Sequence, residues 1–181
     1  MAVDVFAADE QSDRPIDLDR WADLAREVLR ARGVKGAVEV SLLFVDEEAI
    51  SALNERFLSR SGPTDVLAFP IEDEPGPGGR SPDLGGTGPG SDVVGDPLVL
   101  LGDVVICPSV AAVNAATNGQ PFDDELALLV VHGLLHLLGM DHEEEADAER
   151  MEKLERSLLA RFHRRTGPDG ATALGGGGPP G

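Results

Sequence analysis

The hydrophobic and polar positions in the first half of the chain follow the periods of helices and strands. Apolar residues recur at helical spacing from about Leu18 to Ala31, with Gly33 as a stop signal, so this segment is predicted to form an amphipathic helix. Residues 38–45 alternate at every second position, which predicts a strand. The predicted inward residues are Trp21, Leu24, Ala25, Val28 and Leu29 in the helix, and Val38, Val40, Leu42 and Phe44 in the strand.

The rest of the chain shows further elements. Asp46 is suited to cap a helix from Glu47 to Leu58, because a carboxylate there can accept from the first free backbone N–H groups. The inward residues of this helix are predicted to be Ile50, Leu53 and Phe57. The remaining predicted elements are strands at Thr64–Phe69 and Val99–Cys107, a helix at Pro108–Ala116, an apolar helix opened by Pro121 and Asp123, and a last helix reaching about Phe162.

This order of elements predicts an α+β fold in a single domain. A small mixed sheet would be covered by helices, with a buried helix that carries histidines near its centre. Residues 17–162 form the predicted domain, and residues 1–16 are expected to be loosely ordered. Residues 75–97 contain thirteen Gly or Pro and are expected to be a flexible insert, and residues 163–181 a disordered tail.

Composition limits the classes of protein that fit. A chain of 181 residues favours one domain, and no apolar run approaches the roughly 20 residues of a membrane span. The net charge of −18 argues against a nucleic-acid partner at first sight, although much of it falls on predicted solvated faces. The acidic N-terminus does not resemble a signal peptide, and the lone Cys107 fits a reducing compartment, so a cytoplasmic protein is expected.

The richest chemistry lies in the segment HGLLHLLGMDH, which holds three of the four histidines. His132 and His136 are four residues apart and share one face of a helix. Gly139 can then turn the chain with positive φ, so that His142 returns as a third ligand. Such a pair alone could share a face by chance, but burying imidazoles in an apolar helix is costly unless they find partners. Three ligands and an open position are typical of a catalytic zinc.

The spacing of these histidines matches that of the metzincin proteases, with one difference. Those proteases carry a glutamate directly after the first histidine, where it acts as general base, and this chain has Gly133 there. The sequence therefore predicts a hydrolytic metal site that lacks the protease base.

Three blocks of the sequence resemble the YbeY family of bacterial endoribonucleases. They are LNERFLSRSGPTDVLAFP at residues 53–70, LGDVVICPSVAAVNA at residues 101–115, and the histidine block at residues 132–142 with the acidic helix that follows. The resemblance spans about residues 17–162. One position departs from the family pattern, which often has arginine where this chain has Leu58; Arg56 and Arg60 lie nearby.

The resemblance implies both an activity and a substrate. It implies one zinc ion per chain held by His132, His136 and His142, and cleavage of single-stranded RNA. It further implies action on ribosomal RNA precursor at the small ribosomal subunit, in maturation of the 3′ end of 16S rRNA and in ribosome quality control. The sequence does not choose between water and the neighbouring ribose 2′-hydroxyl as the attacking group.

Two other functions stay open at this stage. One is another zinc hydrolase, such as a peptidase or amidohydrolase, which the metzincin spacing favours and Gly133 disfavours. The other is a non-catalytic ribosome assembly factor with a structural zinc, which the acidity of the chain and Leu58 favour.

Overall fold

The computed structural model describes residues 2–34, 36–71, 98–140 and 143–163, and the predicted insert at 75–97 lies outside them. The described residues contain four strands and five helices. The strands are β1 (Ala2–Asp9), β2 (Ala37–Phe44), β3 (Val66–Pro70) and β4 (Leu98–Ile106). The helices are α1 (Leu18–Ala31), α2 (Glu47–Leu58), α3 (Pro108–Asn118), α4 (Phe122–Leu137) and α5 (Glu145–Phe162).

The four strands form one mixed sheet in the order β1-β2-β4-β3. Strands β1, β2 and β4 run parallel, and β3 pairs antiparallel with β4 at one edge. One face of the sheet packs on the main core with residues of α1, α4 and α5, while a smaller cluster with residues of α2 lies on the other face. The predicted α+β fold with a small mixed sheet covered by helices is confirmed.

Strand β1 contradicts the expectation that residues 1–16 are loosely ordered. Residues 2–9 pair in parallel with β2 along its whole length, and Val3 is buried at 6% exposure. Val3, Val5 and Ala7 face the main core, whereas Asp4 and Phe6 point away from it. Asp4 therefore occupies the open face of an edge strand, and pairing with β2, whose residues lie 35 positions further along the chain, orders the segment.

Helices α1 and α2 begin and end as predicted, because local signals fix both ends. The side chain of Asp17 accepts from the backbone N–H of Arg20 at 3.2 Å, and that of Asp46 accepts from Ala49 at 2.8 Å. All five residues predicted to face inward from α1 are buried. Helix α2 ends at Leu58, and the next residue, Ser59, takes a left-handed conformation with φ 53°.

The prediction that Phe57 faces inward is wrong. Ile50 is fully buried in the smaller cluster, but Phe57, two turns further along α2, is 54% exposed. Its ring lies 5.1 Å from that of Phe69, measured between centroids. Phe69 belongs to the edge strand β3, so Phe57 has a packing partner on one side and solvent on the other.

The C-terminal boundary of the packed domain includes His163, which the sequence assigned to a disordered tail. The side chain of His163 is 5% exposed, and its Nε2 lies 2.7 Å from Oδ1 of Asp124 on α4. The rest of that predicted tail lies outside the described residues. Among the helices that are described, none has the length and hydropathy needed to cross a bilayer.

Cys107 is buried at the start of α3, as expected for a small apolar residue. Burial raises the pKa of its thiol, which keeps the sulfur protonated. This cysteine therefore has a packing role.

Candidate metal centre

Helix α4 presents His132 and His136 side by side on one face. Their Nε2 atoms lie 3.0 Å apart, and their rings meet edge to face with centroids 4.5 Å apart. The spacing of four residues places both side chains one turn apart, as the sequence predicted. The His132 side chain is 27% exposed, so the pair lies at an accessible side of an otherwise buried helix.

Helix α5 contributes a carboxylate to the same histidine. Oε1 of Glu155 lies 2.5 Å from Nδ1 of His132, and the Glu155 side chain is 9% exposed. An ionised carboxylate can only accept, so Nδ1 of His132 donates in this contact. When the ring is neutral, its lone pair lies on Nε2, the atom that faces His136.

The two facing nitrogens fit a zinc ion. Nitrogens bound to one tetrahedral zinc at about 2.0–2.1 Å are separated by about 3.3 Å, close to the spacing of this pair. Within the described residues, no group of three His, Cys, Asp or Glu side chains is arranged to hold a metal ion. The predicted third ligand, His142, lies outside those residues, as does its neighbour Asp141. The three-histidine site therefore stays a prediction, supported by two of its members.

Gly133 lies close against strand β4. A Cβ atom placed on Gly133 would lie 2.5 Å from Cγ1 of Val104 in strand β4. Any side chain at this position, including the glutamate of the metzincin pattern, would force α4 or Val104 to shift. The residue after the first histidine therefore serves the packing of α4 on β4.

A polar cluster lies two turns before the histidines on the same face of α4. Glu125 is buried at 4% exposure and accepts a hydrogen bond from Nε2 of Gln120. Burial is the main cause that raises the pKa of this carboxyl group, and Asp65 adds to it by charge repulsion. Asp65 in turn accepts from Asn114 at 3.2 Å and from the backbone of Val66 at 2.8 Å. Asp65 thus pins the turn before β3.

Leu58, at the position where the family often has arginine, lies at the exposed end of α2. The residue is 47% exposed. The guanidinium of Arg56 lies 5.2 Å above the ring centroid of its neighbour Phe57. Arg56 therefore makes a cation–π contact on the same helix.

Sequence reasoning missed Glu155 and Glu125 as members of this region. A signal for Glu155 was available, because it lies four residues after Met151 and three before Leu158, and both are buried on α5. A carboxylate within that apolar stripe needs a partner. Glu125 carries a similar signal, because it directly precedes the apolar run of α4 at residues 126–131.

Comparison with known proteins places this arrangement in a family. The family model for endoribonuclease YbeY matches residues 6–163. The endoribonuclease YbeY of Thermobifida fusca is 42% identical over 165 residues, which cover 91% of this chain and 96% of that protein. That of Beutenbergia cavernae is 44% identical over 159 residues, which cover 87% and 97% of the two chains.

A solved structure has the same fold. The solution structure of TM1509 from Thermotoga maritima aligns with a TM-score of 0.54 and 24% identity, over 94% of this chain and 98% of that one. The family match and the relatives above show that the chain belongs to the YbeY endoribonuclease family.

Proposed function

We propose that this protein is a zinc-dependent endoribonuclease specific for single-stranded RNA. Membership of the YbeY family supports an endoribonuclease that acts on RNA. The zinc proposal is supported by the imidazoles of His132 and His136, whose Nε2 atoms lie 3.0 Å apart. One zinc ion per chain would be held by His132, His136 and His142.

Two kinds of residue contribute to the proposed site: the histidines that would bind the ion, and the glycine that allows their helix to pack. His132 and His136 would bind the ion through Nε2, and Gly133 keeps their helix close against β4. When bound, zinc supplies a Lewis acid that can polarise a phosphoryl oxygen and lower the pKa of water. The chain is acidic, with a net charge of −18. A bound zinc ion would add a local positive charge that attracts the phosphates of the RNA backbone.

The proposed substrate is ribosomal RNA precursor at the small subunit, in the cytoplasm. The protein would act in maturation of the 3′ end of 16S rRNA and in ribosome quality control. The resemblance of three sequence blocks to the family supports this assignment.

A paired cleavage assay tests the activity. Zinc-loaded wild type, His136→Ala and His163→Ala would be incubated with single-stranded RNA that carries a ribosomal precursor 3′ end, and with the same RNA annealed to a complement. We expect the wild type and His163→Ala to cut the single strand only, and His136→Ala to cut neither. The control removes an imidazole that packs against Trp21 rather than against another histidine.

Two outcomes would overturn the proposal. Equal cutting by His136→Ala would show that the histidine pair is not the reactive site. Zinc bound by the wild type without any cutting would favour the assembly factor with a structural zinc. A peptidase is disfavoured, because the close contact of Gly133 with Val104 leaves no room for the protease glutamate.

A further inference from the structure

We propose that Glu155 is a positioning residue that holds His132 in the one tautomer and orientation that can bind the metal. This inference rests on the proposed metal site. Its basis is the contact between Oε1 of Glu155 and Nδ1 of His132, at 2.5 Å, which joins two helices.

The burial of Glu155 separates it from the other acidic residues of α5. Its side chain is 9% exposed, whereas that of Glu152, one turn earlier, is 67% exposed and lies 3.8 Å from Arg156. A buried carboxylate is costly unless it is hydrogen-bonded. His132 is the partner that offsets this cost, so Glu155 is not a solvated position on a helix surface.

The hydrogen bond selects how the imidazole can act. A neutral imidazole carries its proton on one nitrogen and its lone pair on the other. Because Glu155 accepts at Nδ1, the lone pair of His132 is held on Nε2, toward His136. Without Glu155, His132 could take the other tautomer or rotate, and neither state presents a ligand to the same point.

Packing holds Glu155 in place independently of any ion. Met151 and Leu158, on the same face of α5, are buried at 2% and 3% exposure. Both belong to the main core that α4 also lines. The carboxylate is therefore fixed before a metal arrives, and removing it should weaken metal binding about 10- to 100-fold.

Zinc affinity tests the inference without reference to catalysis. The dissociation constant of zinc would be measured by chelator competition for apo wild type, Glu155→Ala, Glu155→Gln and the matched control Glu152→Ala. We expect affinity to fall about 10- to 100-fold for Glu155→Ala. Glu155→Gln, which keeps an acceptor oxygen without the charge, should fall between that variant and the wild type. Glu152→Ala should bind as the wild type does.

The same experiment separates this inference from the metal site itself. Zinc binding by the wild type that Glu155→Ala matches within twofold would overturn the positioning role and leave the site standing. No zinc binding by the wild type would overturn both.

A second measurement needs no variant and so does not depend on the folding of one. The nitrogen chemical shifts of His132 in the apo wild type, recorded above the ordinary imidazole pKa of about 6.5, report its tautomer. The proposal predicts a proton on Nδ1. A proton on Nε2 would overturn it.

Discussion

Two histidine–carboxylate pairs connect α4 with α5 and with the residue that follows α5. In one pair α4 provides the histidine, and in the other it provides the carboxylate. In the first pair, His132 on α4 meets Glu155 on α5 through Nδ1 at 2.5 Å. In the second, Asp124 on α4 meets His163 just after α5 through Nε2 at 2.7 Å. The histidine side chain is 27% exposed in the first pair and 5% exposed in the second.

The two pairs differ in the group that contacts the other side of the imidazole ring. Nε2 of His132 faces Nε2 of His136 at 3.0 Å. The ring of His163 instead stacks on Trp21, with centroids 6.2 Å apart and an angle of 27° between the planes. A carboxylate partner is thus common to both histidines, and the group beyond the ring distinguishes a candidate metal ligand from a packing residue.

The largest expected effect is the loss of bound zinc when any one of the three predicted ligands is removed. His132→Ala, His136→Ala and His142→Ala should each reduce bound zinc from about one ion per chain to near zero, because two remaining ligands hold the ion poorly. His163→Ala should keep its zinc. Metal content after gel filtration measures this, and full occupancy in His142→Ala would show that the third ligand is misassigned.

The next effect concerns the helix that carries both pairs. Gly133→Ala places a Cβ atom 2.5 Å from Cγ1 of Val104, so α4 must shift or Val104 must move. We expect a loss of about 3 kcal/mol in the free energy of unfolding, measured by urea denaturation. The same change in a Val104→Ala background should cost less, and an equal cost in both backgrounds would contradict the contact.

A smaller loss of stability is expected from the second pair. His163→Ala removes the stacking on Trp21 and the hydrogen bond to the carboxylate of Asp124. The free energy of unfolding should fall by about 2 kcal/mol with zinc affinity unchanged. A variant that loses zinc while keeping its stability would reverse the roles given to the two pairs.

The smallest effect involves Glu125, a buried carboxyl group on α4, whose partner is the amide of Gln120. Its pKa in the folded protein is raised by burial above the ordinary value of 4.5. The folded state therefore binds this proton more tightly than the unfolded chain does. Stability from this group is present at low pH and is lost as pH rises from 4.5 through the folded pKa.

Glu125→Gln removes that dependence on pH. Its free energy of unfolding relative to the wild type should rise as pH is raised from 5 to 7, when both proteins are denatured with urea at each pH. A difference that stays constant over this range would contradict a raised pKa for Glu125.

The sequence predicted the features that depend on neighbours along the chain. The bounds of α1 follow from its periodic apolar face and its cap at Asp17, and the His132–His136 pair follows from helical spacing. Strand β1 was missed because its order comes from pairing with β2, whose residues lie 35 positions away.

The same reason explains what was missed at the site. Glu155 is 23 residues from His132, and only the packing of α5 on α4 brings the two side chains together. Gly133 was recognised as the absence of a protease base, but its contact with Val104 depends on how the helix lies on the sheet. Local patterns therefore identified the candidate ligands, and tertiary packing supplied the groups that support them.

The most direct test of the metal centre is an anomalous-scattering map of zinc-loaded crystals, recorded at the zinc absorption edge. The account predicts one peak about 2.0–2.1 Å from Nε2 of both His132 and His136, with a nitrogen of His142 as a third ligand. No peak at the pair, or a peak bound elsewhere while the two Nε2 atoms remain in contact with each other, would contradict it.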